Sequence, residues 1–310
     1  MGGGVSTSEE TVAWLLAGDP AVVWRAQRDL LGLPEAAWGA TRARIAQEGW
    51  GAALLAARAP DGTWGGGLYS PKWTSTFYTL RLLTQLGVVP SEPAVVESCR
   101  LLLTEGVTDG GGVSPWTSPS TDTCVTAMLL WMASALGLAG EERCRRMVGW
   151  LLDEQMPDGG WNCRGGATHA SFHTSISALE GLTAYAERAE EPDARIPAAV
   201  GAGRAFFLEH QLYRSSSTGR VIRPSFSRLF FPPRWYFDVL RGLEHFVEAG
   251  APWDERLRDP MQVLVERGRG GRWRASAHSG RTHLRLEPPR QPSRLNTARA
   301  LRVLAWAESA

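Results

Sequence analysis

Apolar residues recur along this chain at the spacing of α-helices. Met147, Trp150 and Leu151 fall at positions i, i+3 and i+4, which places them on one face of a helix. The Pro-Asp-Gly-Gly segment at 157–160 ends that helix, because proline lacks an amide donor and glycine accepts a positive φ. A second apolar stretch follows at 171–186. The pattern predicts a pair of helices joined by a turn and a loop.

The same unit recurs along the chain. Helices are predicted at 8–17, 20–31, 36–47, 48–59, 73–86, 94–104, 121–136, 141–155, 171–186, 197–210, 234–249, 254–267 and 293–306. The glycine-rich turns end at Trp64, Trp116, Trp161 and Trp273, which are 52, 45 and 112 residues apart, the last spacing corresponding to two units. A repeat near 50 residues with two helices per unit indicates an array of helical hairpins.

The two helices of each unit differ in polarity. The second helix is apolar nearly all round, as in 124–137, whereas the first carries the charges, as in 140–155. A helix that is apolar on all sides lies in the interior. We therefore predict an all-α fold, an α/α toroid in which an (α/α)5-6 barrel has about six inner helices inside a wall of outer ones. No linker divides the chain, so we predict a single domain over 1–310, with N-terminal helices at 1–49 and hairpin repeats at 50–307.

Composition and charge exclude several classes of partner. Apolar content of 44% and charged content of 21% are typical of a soluble globular protein. The net charge of +1 gives no electrostatic reason to expect nucleic acid or anionic lipid. No apolar run approaches the ~20 residues of a transmembrane segment, and the first residues lack a secretory signal. Four widely spaced cysteines fit a reducing compartment, so a cytoplasmic location is expected.

Side chains that bind metals or transfer protons lie at the predicted starts of inner helices. These starts are near Trp73, Asp122, His173, Asp238 and Asn296, and we expect them to meet at one mouth of the toroid. The partial positive charge of a helix N-terminus favours a thiolate at Cys124 and carboxylates at Asp122 and Asp238. A mixed set of Asp, Cys and His suits zinc with one coordination position open.

Each candidate also has a purely structural interpretation. Asp122 and Asp238 fit the role of helix caps, and Cys124 fits that of a small buried residue. Asp238 is otherwise a candidate catalytic acid.

Residues in the turns and loops have two interpretations as well. Cys163 is either a packed turn residue or a functional one. His169 is either exposed or acts as a metal ligand or a proton shuttle. The aromatic residues Trp73, Trp116, Trp235 and Tyr236 belong either to the core or to the wall of a cavity that binds an apolar substrate.

Two motifs resemble known families. The turn QMPDGGW at 155–161 resembles the glutamine–tryptophan repeat of squalene-hopene and oxidosqualene cyclases and the Gly-Gly turns of protein prenyltransferase β subunits, which share an α/α toroid. The resemblance covers roughly 50–306. Asp122-Thr123-Cys124 resembles the Asp-x-Cys pair that ligates zinc in prenyltransferases, and Phe172-His173-Thr174 resembles their Tyr-His-Thr segment. The resemblance implies that Asp122, Cys124 and His173 hold zinc. Cys163 has no counterpart in these families, and it is a candidate for a fourth ligand or a nucleophile.

The sequence also departs from both families. The stretch 114–121 contains no Lys or Arg where prenyltransferases carry basic residues for a diphosphate. When the cyclase segment Asp-x-Asp-Asp-Thr is aligned on Asp122-Thr123, Thr121 stands where the protonating acid should be. These differences argue against prenyl diphosphate binding and against cyclisation started by protonation. No obligate second subunit is implied.

The expected function is a zinc-dependent enzyme of this prenyltransferase- and terpene cyclase-like superfamily. Its substrate would be apolar and isoprenoid-like, and its class would be a transferase, an isomerase or a lyase. One alternative is a metal-free, cyclase-like enzyme that uses Asp122 or Asp238 as its acid. Others are a non-catalytic toroid that binds lipid or acts as a scaffold, and a lyase or hydrolase for sugars. The last is disfavoured because the inner-helix starts offer few paired carboxylates.

Overall fold

The fold is all-α, as predicted. A computed structural model describes residues 8–116, 118–276, 279–288 and 290–309. Within these ranges lie thirteen α-helices and no β-strand: α1 (Glu9–Leu16), α2 (Pro20–Arg25), α3 (Glu35–Ala43), α4 (Gly49–Ala56), α5 (Thr76–Leu86), α6 (Pro93–Gly106), α7 (Thr123–Ala135), α8 (Glu142–Asp153), α9 (Phe172–Ala186), α10 (Ile196–Glu209), α11 (Val239–Glu248), α12 (Arg258–Arg267) and α13 (Arg294–Glu308). A π-helical turn, Ala26–Leu30, extends α2.

Six helices form a closed inner ring. Helix α5 packs on α7, α7 on α9, α9 on α11 and α11 on α13, and α13 contacts α2 and the π-helical turn. The ring closes between α2 and α5, where the indole Nε1 of Trp24 donates to the carbonyl oxygen of Leu86 at 3.0 Å. Helices α4, α6, α8, α10 and α12 lie outside, against their inner neighbours. The predicted toroid with six inner helices is therefore confirmed.

A hydrogen-bonded tryptophan fastens each of three turns to its two helices. The indole N–H groups of Trp64, Trp161 and Trp273 donate to carbonyl oxygens in the preceding outer helices, at 2.7, 2.7 and 2.8 Å. Their backbone N–H groups donate to hydroxyls of the following inner helices, at 3.0, 2.8 and 3.0 Å. Each tryptophan is fully buried. The turn residue thus fixes how each outer helix docks on its inner partner.

The second unit uses a different residue at this position. There the backbone N–H of Val113 donates to the hydroxyl of Thr126 at 2.8 Å. Trp116, which the repeat pattern placed in this role, lies three residues later and packs on Tyr69 and Phe77. In this unit valine stands at the turn position that tryptophan occupies in the other three. The spacing of tryptophans could not show this, because Trp116 lies only three residues away.

Helix α11 begins later than its sequence pattern predicted. The expected start was Arg234, but the segment before Asp238 is not helical, and Arg234 has a φ of +55°. Asp238 caps the helix by accepting a hydrogen bond from the N–H of Arg241. Among the described residues, none of the helices combines the length and apolar character needed to cross a bilayer.

Candidate functional site

The first residues of α7 present a carboxylate and a thiol side by side. Asp122 is the N-cap residue, and its Oδ1 accepts a hydrogen bond from the N–H of Val125 at 3.0 Å. Burial raises the pKa of Asp122, against the opposing effect of the backbone N–H groups of Val125 and Cys124. The buried thiol of Cys124 donates to the hydroxyl of Thr174 on α9 at 3.2 Å. The site therefore spans the starts of two adjacent inner helices.

Cys163 reaches this pair from the turn that precedes α9. The turn is held in place by Asp158, whose Oδ2 accepts from the N–H of Ala170 at 2.7 Å. One ligand atom each from Asp122, Cys124 and Cys163 lies within 4.8 Å of the others. Cys163 is exposed, whereas Cys124 is buried.

The two thiols share a hydrogen bond that separates their acidities. The hydrogen bond with the Cys124 side chain is the main influence on Cys163 and lowers its pKa to about 6, against the opposing effect of burial. The same interaction and burial raise the pKa of Cys124. Proton sharing of this kind is expected where two acidic groups lie close together.

This donor set could hold a metal ion. Thiolates and a carboxylate are ligands that zinc accepts, and three protein ligands leave a position open in a tetrahedral site. The sequence led us to expect Asp122 and Cys124 here, while the nearness of Cys163 depends on a loop that helix patterns do not describe.

His173 lies beside the three-residue group and is not a member of it. Its Nδ1 accepts a hydrogen bond from the N–H of Phe237 at 2.8 Å. Its ring meets the edges of Trp235 and Tyr236, with centroid separations of 5.3 and 5.8 Å. A ligand role for His173 stays a prediction.

A cavity of about 760 Å³, which we call the rim cavity, opens beside the two thiols. It contains six of the residues singled out from the sequence: Cys124, Cys163, His169, His173, Trp235 and Tyr236. Phe172, Phe206 and Phe226 add apolar area to its wall. The rim cavity therefore combines sulfur, imidazole and aromatic groups in one space.

Other helix-start residues lie elsewhere. Asp238 is fully buried, and its carboxylate accepts from the N–H groups of Phe230 and Arg241 at 3.0 and 2.9 Å. Trp73 lines a separate cavity of about 300 Å³, where the Arg234 guanidinium lies 3.7 Å from its ring centroid. Trp116 is half-buried. The expectation that all the helix starts meet at one mouth stays a prediction, as do the roles assigned to these three residues.

The space enclosed by the ring is charged, where we had expected an apolar one. This central cavity, of about 390 Å³, has walls from all six inner helices. Arg81 and Arg241 both pair with Glu180 there, at 3.5 and 2.6 Å. Each of these charged residues lies in an otherwise apolar helix, and they come close together only when the ring closes.

The residues of the central cavity recur at a fixed position in the repeated units of the sequence. In four units, the hydroxyl that binds the turn is followed five residues later by a side chain of the central cavity. The pairs are Thr76 with Arg81, Thr126 with Trp131, Ser175 with Glu180 and Thr297 with Arg302. Aligning the units on the hydroxyl, rather than on tryptophan, would have identified the position.

Comparisons with known proteins find similarity of structure only. No family model matches this sequence, and a search of curated proteins finds no match. A crystal structure of a protein from Actinoplanes is 19% identical, with a TM-score of 0.49, and the match covers 94% of this chain and 90% of that one. The type II terpene cyclase MstE from Scytonema, in its apo form, is 15% identical, with a TM-score of 0.37, over 87% of this chain and 98% of that one. Because both TM-scores lie below 0.5, no family and no residue role is transferred from these structures to this chain.

Proposed function

We propose that this chain is a zinc-dependent enzyme that acts on an apolar, isoprenoid-like substrate in the rim cavity. The observation that carries the proposal is the group of Asp122, Cys124 and Cys163, whose ligand atoms lie within 4.8 Å of one another. Cys124 and Cys163 also line the rim cavity. A metal held by these residues would thus be next to a space large enough for a small organic substrate.

Zinc bound there would supply a Lewis acid or lower the pKa of a bound water or thiol. The chain itself positions the ligands. Asp122 is fixed by its capping bond to Val125, and Cys124 by its bond to Thr174. Because both lie at the start of α7, the helix dipole acts against the influences that raise the pKa of both groups.

The cavity wall supports an apolar substrate. Phe172 contacts the rings of Phe206 and Phe226, with centroid separations of 5.1 and 5.2 Å. Such fixed aromatic surfaces bind apolar chains and exclude water. Arg164 and Arg223 also line the cavity, so a substrate with one anionic end is favoured over a pure hydrocarbon.

Metal analysis of the purified chain tests the metal site. We expect about one zinc per chain in the native protein, and loss of most of it in Cys124→Ala and Cys163→Ala. Cys99→Ala is the matched control, because Cys99 is a buried thiol outside the group. Native protein with only trace zinc after growth with added zinc would remove the proposal.

Turnover is tested separately. The native chain is incubated with polyprenes, polyprenols and polyprenyl diphosphates, and products are read by mass spectrometry. Products that appear with native protein and disappear with Cys124→Ala support an enzyme. Stoichiometric zinc with no product from any substrate would identify the metal as structural and overturn the enzymatic part.

A further inference from the structure

The central cavity carries more positive than negative charge. Its lining includes eight arginines against five carboxylates, with the arginines at 25, 28, 42, 81, 188, 241, 299 and 302 and the carboxylates at Asp29, Glu180, Glu187, Glu244 and Glu248. Three arginine charges are therefore in excess. An excess of this kind, enclosed by helices, attracts an anion.

The excess is located on particular side chains. Within the described residues, no carboxylate lies within 4.0 Å of the guanidinium of Arg25 or of Arg42. Arg25 instead donates to the carbonyl oxygens of Ala21 and Leu86, at 2.6 and 2.8 Å, and to that of Gln85. Arg42 donates to the carbonyl of Gly87 at 2.7 Å. Carbonyl dipoles offset a full positive charge only in part.

Arg81 adds an unused donor at the centre. Its side chain is 2% exposed, and its Nη1 has no hydrogen-bond partner. Its guanidinium also donates to the carbonyl of Arg234 and lies 5.1 Å from the centroid of the Trp131 ring. It pairs with a Glu180 carboxylate that Arg241 already binds through two nitrogens. Leaving a charged donor unpaired in the interior is unfavourable. An oxyanion in the cavity would remove this penalty.

Two uncharged atoms without partners line the same cavity. Gln85 Oε1 and Thr183 Oγ1 are buried and make no hydrogen bond within the protein. The Gln85 oxygen accepts a hydrogen bond, and the Thr183 hydroxyl either donates or accepts one. A ligand that satisfies them needs hydroxyl groups in addition to its charge. The exposed pair Glu187 and Arg188, at 47% and 43%, indicates that one side of the cavity reaches solvent.

We propose that the central cavity binds a small, hydroxylated oxyanion, either a phosphate ester or a hydroxy-polycarboxylate. The ligand would be held by Arg25, Arg42 and Arg81 and by the polar atoms of Gln85 and Thr183. A volume of about 390 Å³ suits a molecule of this size. The site is distinct from the rim cavity, and the proposal does not depend on zinc or on the proposed activity.

Calorimetric titration of the full chain tests the charge requirement. The probes are inorganic phosphate, pyrophosphate and citrate at 0.15 M salt, where weak surface binding is screened. We expect saturable binding of pyrophosphate or citrate, weakened at least tenfold by Arg25→Gln. Arg44→Gln is the control, because Arg44 pairs with Glu48 on the surface and its loss changes net charge equally. Equal weakening by both variants, or no binding by the native chain, would overturn the proposal.

A second variant covers the case in which Arg25→Gln does not fold. Thr183→Val keeps the shape of the side chain and removes the hydroxyl. We expect it to lower the preference for citrate over tricarballylate, which lacks the hydroxyl, by threefold or more. If the preference for citrate over tricarballylate is unchanged, water rather than the ligand satisfies Gln85 and Thr183, and the ligand needs no hydroxyl group. Stronger binding of phosphate esters than of citrate would assign the ligand to the phosphate class.

Discussion

The rim cavity and the central cavity share the inner helices α7 and α9 and differ in their chemistry. The rim lies at helix starts, where Asp122 and Cys124 meet the positive end of the α7 dipole. The central cavity is lined by residues within the inner helices, and Arg25 donates to the carbonyl oxygen of Leu86 at the end of α5. The central cavity contains eight arginines and five carboxylates, whereas the rim cavity combines two thiols with imidazoles and aromatic rings. The start of an inner helix and its interior therefore contribute different side chains to two separate cavities.

The largest effect is expected from Glu180→Ala in the central cavity. Burial alone would raise the pKa of Glu180, but the Arg241 guanidinium holds that pKa below its usual value. Removing this carboxylate leaves Arg81 and Arg241 as unpaired buried charges, which costs about 3–5 kcal/mol of unfolding free energy. Urea denaturation measures the loss. Glu187→Ala is the control, because the exposed Glu187 pair contributes at most about 1 kcal/mol; equal losses would mean that the central network is not coupled.

Removal of the metal tests the rim. If zinc is present at 100 times its dissociation constant, binding stabilises the folded state by about 2.7 kcal/mol. A chelator should therefore lower the melting temperature of the native chain. Cys163→Ala should melt at the same temperature with and without the chelator, because one of its three ligands is missing. A native chain that does not respond would count against a metal at the rim.

Acid is expected to weaken the central region more than the rim. Burial lowers the pKa of His245 to about 3, with Arg204 and Arg241 adding to the effect and Glu180 opposing it. The folded state keeps His245 neutral, while the unfolded chain takes up its proton below about pH 6.5. Stability should thus fall as the pH drops from 6.5 towards 3, by up to about 1.4 kcal/mol per pH unit.

Two histidine variants locate this effect. His245→Gln should flatten the dependence of unfolding free energy on pH in that range. His169→Gln at the exposed rim should leave it unchanged. The same slope in both variants would mean that buried His245 is not responsible.

The smallest change in stability is expected from substitutions of Asp122, which separate its role as a helix cap from its role as a metal ligand. Asp122→Ala removes the N-cap of α7, which costs about 1 kcal/mol in metal-free protein. Asp122→Asn keeps the cap, because asparagine is as good a capping residue. Both variants should lose zinc, and only the alanine variant should lose stability without it. Unchanged zinc content in Asp122→Asn would restrict Asp122 to capping.

The spacing of apolar residues predicted the helices, but the sequence identified only some of the residues in the two cavities. The hairpin of α8 and α9 follows directly from apolar spacing and from the turn at 157–160. The start of α11 was misplaced because residues 234–237 are equally apolar, whereas the φ of +55° at Arg234 is not helical. Asp122 and Cys124 were found since they lie in one short motif.

The sequence by itself determined the helices, their turns and the order of inner and outer walls, because each depends on residues a few positions apart. Only the tertiary structure decided that the thiol of Cys163 meets that of Cys124, since a loop conformation brings it there. The tertiary structure also decided that Arg81, Glu180 and Arg241 share one cavity. One charge in an apolar helix has no partner nearby in the chain, and its environment exists only after the ring has closed.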